Sequence, residues 1–223
     1  MDSLTIFYKK NDVQNKIIRR NSSKNIYFDH NAFIHSCIVP RYFHYRNHYL
    51  TARKAKIMTK PKIVALWAED LNGLIGFNNY LPWHNTLDLQ NFKETTLNSY
   101  LIMGRATFDG MGGKSLPHRK TIVLTSDPKY TTNNPNTTIV SSVDEALKLI
   151  KTLNSNVFIC GGKSIYKQFM PYVDTIIKTT IMDTYLGDTY IDPIDTSIWK
   201  ESHSCKYTHR QETPIVVSTF IKK

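Results

Sequence analysis

Residues 156–170 read NVFICGGKSIYKQFM. The run NVFIC is short, apolar and continuous, the pattern of a strand buried on both faces. It runs into Gly161-Gly162, and KSIYKQFM then continues as a helix. Strand, glycine turn and helix in that order form the unit of a parallel sheet covered by helices. Glycines at such a turn let a ligand approach the backbone closely, and a helix start favours phosphate. Plain turn chemistry is the commoner use of a glycine pair, and the full G-x-G-x-x-G fingerprint is absent.

The same alternation extends in both directions. KIVALW (62–67) is a buried strand, followed by a loop over 68–84 with Gly73, Gly76 and Pro82. A helix is expected over 86–97, a strand over 99–103 and a short helix from near Arg105. KTIVLTS (120–126) and TTIVS (137–141) are further strands. Ser142 and Glu145 have capping-box spacing ahead of a helix. DTIIKTTIM is another strand, and runs near 199–207 and 214–221 flank a polar turn as an antiparallel hairpin. The expectation is one α/β domain. Its mostly parallel sheet of about eight strands carries helices on both faces and ends in that antiparallel hairpin.

The chain has 223 residues, 41% hydrophobic and 12% aromatic, which suits a packed core of ordinary size. It contains no apolar run of about 18 residues, so no membrane-spanning helix is expected. Cys37, Cys160 and Cys205 are scattered and form neither a disulfide framework nor a metal-ligand spacing, which favours a reducing, cytoplasmic location. The net charge of +11 is unevenly distributed. Residues 1–57 hold 11 Lys/Arg against Asp2, Asp12 and Asp29, a balance of +8; the remainder holds 18 against 15, or +3. This basic stretch lacks a clear strand or helix period and the apolar core of a secretory signal. It is expected to be poorly structured or partly helical. A basic arm for an anionic surface, a transit-like presequence and an extension translated upstream of the true start compete to explain it. Met58, directly before TKPKIVALW, favours the last, and the domain is taken as 58–223. Nucleic acid is not an expected partner.

Three places carry candidate chemistry. LIMGRATF (101–108) sets Arg105 and Thr107 at a helix start beneath a strand end, where an Arg can bind phosphate. A solvated surface Arg explains that segment equally well. With Thr125 and Ser126 at a second strand end and the glycine pair at a third, a nucleotide cofactor bearing a 2′-phosphate becomes plausible. The third place is YLPWHNTLDLQNFKETT (80–96), where Asp88 falls in the first turn of a helix with Phe92 one turn on. An Asp there ordinarily serves the helix dipole. The apolar Leu81-Pro82-Trp83 before it suggests a pocket carboxylate that grips paired N–H groups of a heterocycle.

Together GLIGFNNYLPWHNTLDLQNFKETT, LIMGRATFDGM, LPHRKTIVLTS, CGGKSIYKQF and GDTY resemble the dihydrofolate reductase family, of bacterial type, in its order and spacing over about residues 61–223. The resemblance implies NADPH-dependent reduction of 7,8-dihydrofolate, inhibition by antifolates and a monomer. It implies that Asp88 bonds the 2-amino group and N3 of the pterin, that Trp83 positions the proton-donating water, and that Thr179 completes the hydrogen-bond chain. Leu89 and Phe92 would pack on the substrate rings, Leu66, Trp67 and Ala68 would form the back of the pocket, and Arg119 would pair with the glutamate α-carboxylate. Arg105, Thr125 and Ser126 match positions around the 2′-phosphate. Thr107 and Gly161, Gly162, Lys163, Ser164 and Ile165 match the pyrophosphate cradle, its glycines joined by a cis peptide. Ala68, Ile75 and Gly76 would line the nicotinamide, and Gly104, Ala106, Leu124, Cys160 and Tyr166 complete the cofactor set. Residues 70–85 would form a mobile lid with Leu81 at its tip, and Asp188 would belong to a supporting loop. An Asp of ordinary pKa near 3.9 would be a poor proton donor at neutral pH.

The chain departs from the family pattern at Thr86, where many relatives have proline and the helix start would be looser. Cys160 stands where an aliphatic residue or alanine is common, and Lys163-Ser164 replace the usual pair. A pyrimidine reductase of riboflavin synthesis would share the cofactor site, but Asp88, Phe92 and Arg119 together favour a folate.

Overall fold

The computed structural model describes residues 16–21, 24–29 and 60–223. The chain divides into two units, residues 1–54 and 55–223. In the first, β1 (Lys16–Asn21) and β2 (Lys24–Asp29) pair antiparallel, with Lys16 opposite Asp29. This part of the basic stretch is therefore extended rather than helical. The rest of residues 1–57 lies outside the described residues.

The second unit runs in the order β3 (Ile63–Glu69), β4 (Leu74–Gly76), α1 (Thr86–Thr96), β5 (Tyr100–Gly104), α2 (Arg105–Gly110), β6 (Lys120–Leu124) and β7 (Thr137–Val140). It continues with α3 (Val143–Ile150), β8 (Val157–Ile159), α4 (Lys163–Phe169), β9 (Thr175–Ile181), β10 (Thr189–Tyr190), β11 (Trp199–His209) and β12 (Glu212–Lys222). Eight strands form one sheet in the order β11-β12-β9-β3-β8-β5-β6-β7. From β9 to β7 every neighbouring pair is parallel. β12 joins β9 antiparallel, and β11 folds back on β12, as the sequence leads one to expect.

The two-residue period of a strand sorts the core into two layers. Ile63, Ala65 and Trp67 of β3, with Ile102 of β5, pack beneath Ala146 and Ile150 of α3 and Ile165 and Phe169 of α4. Val64 and Leu66, with Leu101 and Met103, face the other way, against Phe108 of α2 and Leu87 and Phe92 of α1. Continuous apolar strands are needed because both faces are covered.

One element escapes the sequence pattern. Inside the expected loop, β4 pairs with β10 as a separate two-stranded sheet, Gly76 opposite Thr189. Strands of three and two residues are too short to show a period. Two carboxylates fasten this region. Buried Asp70 accepts from the backbone N–H groups of Asn72 and Leu74 (2.7 and 2.9 Å) and of Tyr185 (2.9 Å). Asp188 accepts from the Asn78 N–H (3.0 Å) and the Thr189 hydroxyl (2.7 Å).

Gly187 passes so close to β4 that a Cβ there would lie 2.5 Å from Leu74 Cδ1 and 2.7 Å from the Gly76 carbonyl oxygen. Backbone cannot yield as a flexible side chain can. Gly187→Ala should therefore cost about 1–3 kcal/mol of stability, read as a lower urea midpoint at unchanged slope.

Candidate active site

The site begins at the start of α1. Asn85 is extended (φ −136°, ψ 116°), and its Oδ1 accepts from the Asp88 N–H at 3.1 Å, closing the cap. Its Nδ2 donates to the Thr213 carbonyl at 2.8 Å. Thr86 is not loose: its N–H donates to Glu212 Oε2 at 2.7 Å and its hydroxyl to the other carboxylate oxygen. The backbone N–H that proline would lack is in use.

This seating turns Asp88 inward, leaving it 6% exposed. Burial raises its pKa from 3.8 to about 6, against the opposing effects of the neighbouring Trp83 and Thr179 side chains. The ordinary value expected from sequence is thus corrected, because desolvation outweighs hydrogen bonding. Trp83 Nε1 is buried and has no hydrogen-bond partner of ordinary geometry among the described residues. Thr179, on β9 and opposite Ala68 of β3, accepts from Asn91 Nδ2 at 3.4 Å. Asp88, Trp83 and Thr179 therefore meet at one point, although 91 residues separate the first from the last.

Leu66, Ala68 and Phe92 lie in the same core layer as Trp83. Trp67 does not. Strand alternation sends its indole to the opposite layer, where it meets Tyr166 (ring centroids 5.5 Å apart) and donates to Glu69 at 2.8 Å. Only its backbone remains on the expected wall. Leu81 and Leu89 are half-exposed at the rim. Buried Arg119 donates through Nε to the Pro117 carbonyl (3.0 Å) and through Nη1 to Thr96 Oγ1 (3.1 Å) at the end of α1. Burial lowers its pKa, but a guanidinium remains a cation, and these bonds occupy two of its five N–H donors.

A cavity of ≈ 480 Å³ opens where β5, β6 and β8 end. Of the expected cofactor set, Gly104, Arg105, Ala106, Thr107, Leu124, Thr125, Ser126, Gly162, Lys163, Ser164 and Ile165 line it. Ala68, Ile75, Gly76, Cys160, Gly161 and Tyr166 do not. Ile75 packs on the layer holding Trp67 and Tyr166, and the Tyr166 hydroxyl donates to the Leu66 carbonyl at 2.8 Å. Cys160 is a free thiol whose pKa burial pushes up. Asn79, Ser141, Ser142, Gln168 and Thr189 line the cavity without having been expected there. Ser142 had a visible role as a helix cap, which its hydroxyl fills (3.2 Å to the Glu145 N–H). Gln168 stands one turn beyond Ser164, a spacing that could have flagged it.

The donor set suits a phosphorylated nucleotide. Neither α2 nor α4 has a side chain capping its first N–H groups. The peptide between Gly161 and Gly162 is cis, and a Cβ on Gly162 would lie 3.3 Å from Thr107 Oγ1, narrowing the cradle. Arg105 bonds Asp127 at 2.9 Å and Lys163 faces Asp192 at 3.4 Å, both exposed pairs of the kind that contribute little and yield to a better anion.

An α/β domain that combines a cavity suited to a phosphorylated nucleotide with a buried carboxylate has the makings of a nucleotide-using enzyme. The family model described as dihydrofolate reductase matches residues 62–222, and the chain belongs to that family. It is 38% identical over 132 residues to the dihydrofolate reductase of Enterococcus faecium, covering 59% of this chain and 78% of that one. Against that of Bacillus subtilis it is 37% identical over 149 residues, covering 67% and 86%. The solved dihydrofolate reductase from Enterococcus faecalis, complexed with NADP(H) and RAB-propyl, superposes with TM-score 0.70 at 35% identity, covering 74% of this chain and 98% of that one. Among the described residues no helix is long and apolar enough to cross a membrane.

The raised pKa of Asp88 has a cost. Above pH 6 the folded protein must keep an ionised carboxylate out of water, a penalty absent below pH 3.8, where both folded and unfolded states hold the proton. Stability from this group is therefore lost as pH rises from about 4 to 6. Asp88→Asn should stabilise the fold at pH 7 by on the order of 3 kcal/mol and by progressively less toward pH 4, measured by urea unfolding across that range.

Proposed function

We propose residue roles in an enzyme whose reaction is that of its family, the NADPH-dependent reduction of 7,8-dihydrofolate to 5,6,7,8-tetrahydrofolate. The observation that carries the reading is Asp88, buried at the start of α1 between Trp83 and Thr179. Asp88, largely ionised at neutral pH, accepts from the 2-amino group and N3–H of the pterin and holds the ring in one orientation. Thr179 extends that bonding. Trp83 Nε1, beside the Asp88 carboxyl, orients the water that protonates N5, and Leu81 shields it from the rim. Phe92 and Leu89 pack on the substrate rings against Leu66 and Ala68. Arg119, already fixed by Pro117 and Thr96, directs its remaining donors to the α-carboxylate of the glutamate tail.

NADPH supplies the hydride that reaches pterin C6. Arg105, Thr125 and Ser126 hold its 2′-phosphate, with Arg105 exchanging Asp127 for that anion. Thr107 and the backbone over 161–165 cradle the pyrophosphate. Residues 58–223 are the catalytic domain, 1–57 are an extension dispensable for chemistry, and the enzyme is cytoplasmic.

Oxidation of NADPH by dihydrofolate, followed by near-ultraviolet absorbance, should be equal for the full chain and for one starting at Met58. Inactivity of both, though folded, would overturn the reading. Asp88→Asn should lower turnover by about 10²-fold or more and leave the NADPH dissociation constant unchanged. Arg105→Ala should raise the KM for NADPH about tenfold or more while sparing that for NADH, because one charge-assisted bond is lost. Arg119→Ala should weaken a glutamate-bearing substrate and spare a simple pterin; equal losses for the two would refute its role.

A further inference from the structure

We infer that Glu212 is a positioning residue for Asp88: from the C-terminal hairpin it anchors the first turn of α1 and so sets where the Asp88 carboxyl sits. The inference rests on the proposed role of Asp88. An α-helix begins with N–H groups that have no partner within the helix. In α1 these are met from outside or by the cap. Glu212 Oε2 accepts from Thr86 N–H at 2.7 Å and Leu87 N–H at 3.4 Å, and Asn85 takes the Asp88 N–H at 3.1 Å. The Thr86 hydroxyl adds a bond to Glu212 Oε1, and Asn85 is itself tied to the next hairpin residue through the Thr213 carbonyl.

A negative charge at this end of a helix is favourable in its own right. The Thr86 hydroxyl holds the Glu212 carboxyl below the usual range, with His209 adding to the effect, so Glu212 is ionised at neutral pH. The same strand reaches the other side of the pocket, since Val217 of β12 pairs with Thr179 of β9. One hairpin thus fixes Asp88 through its helix and Thr179 through the sheet.

The test uses folded full-length protein and two dissociation constants, for folate and for NADPH, read by quenching of tryptophan fluorescence. A fall in the folded fraction raises both apparent dissociation constants by the same factor, so a merely stabilising role would not separate folate from NADPH. Glu212→Ala should weaken folate by about tenfold and leave NADPH within about twofold, the scale of a small misplacement of one binding group. Glu212→Gln keeps an acceptor and should recover most of the affinity. Proline at the first helical position needs no acceptor, and extended Asn85 suits the residue before it. The folate loss caused by Glu212→Ala should therefore be clearly smaller in a Thr86→Pro background than with Thr86 present. Unchanged folate affinity, equal weakening of both ligands, or the same loss in both backgrounds would overturn the inference. Asp88→Asn serves as the control. If it binds folate normally, the Asp88 reading fails; if it loses folate while Glu212→Ala does not, only the positioning role fails.

Discussion

A carboxylate kept out of water is the constraint around which this molecule is arranged. Ionised groups avoid apolar surroundings unless their neighbours compensate them, and Asp88 is compensated only in part. The layer above the sheet supplies apolar walls from Leu66, Phe92 and Trp83, while Thr179 and Trp83 provide the few polar groups nearby. The balance falls on the side of desolvation. Such a group binds a matching donor pair more strongly than an exposed carboxylate would, because its alternative partner, bulk water, is already gone. The stability given up there is recovered in the parallel core, where Val64, Leu101, Ile102, Val123 and Ile159 are almost fully enclosed.

The sheet also explains why the two proposed binding regions share one edge. Parallel strands all present their C-terminal ends on one edge, and the loops leaving those ends share it. Gly104 and Leu124 close β5 and β6 at the large cavity, and Gly162 opens α4 just beyond β8. Ala68 and Thr179, paired across β3 and β9, stand on the same sheet nearer the antiparallel edge. With the proposed roles, phosphate chemistry and ring binding would fall to neighbouring strands without a second domain.

Much of this was legible in the sequence. KIVALW, KTIVLTS and NVFIC announce buried strands because a sheet covered twice needs unbroken apolar runs, and five ordered motifs single out Asp88, Arg105 and Arg119. Other features depend on facts that local pattern does not encode. Trp67 lay in the right segment, yet strand alternation gave its indole to the other layer. The elevated pKa of Asp88 arises from burial, which only the folded chain provides, and residues far apart in the chain carry no period in common. β4 and β10 are too short to register at all. Glu212 reads as a routine turn acid until the hairpin is seen against α1.

The distance along the chain between Thr86 and Glu212, 126 residues, bears on how the molecule assembles itself. Contacts between remote segments form late, since the intervening chain must be ordered first. The parallel strands from β3 to β8 can gather while the Thr86 and Leu87 N–H groups at the start of α1 still have only water as a partner. Docking of the hairpin then supplies those acceptors and the strand beside Thr179 in a single event. A chain whose sheet and core had gathered before that docking would have no finished pocket, so substrate would find only the completed fold.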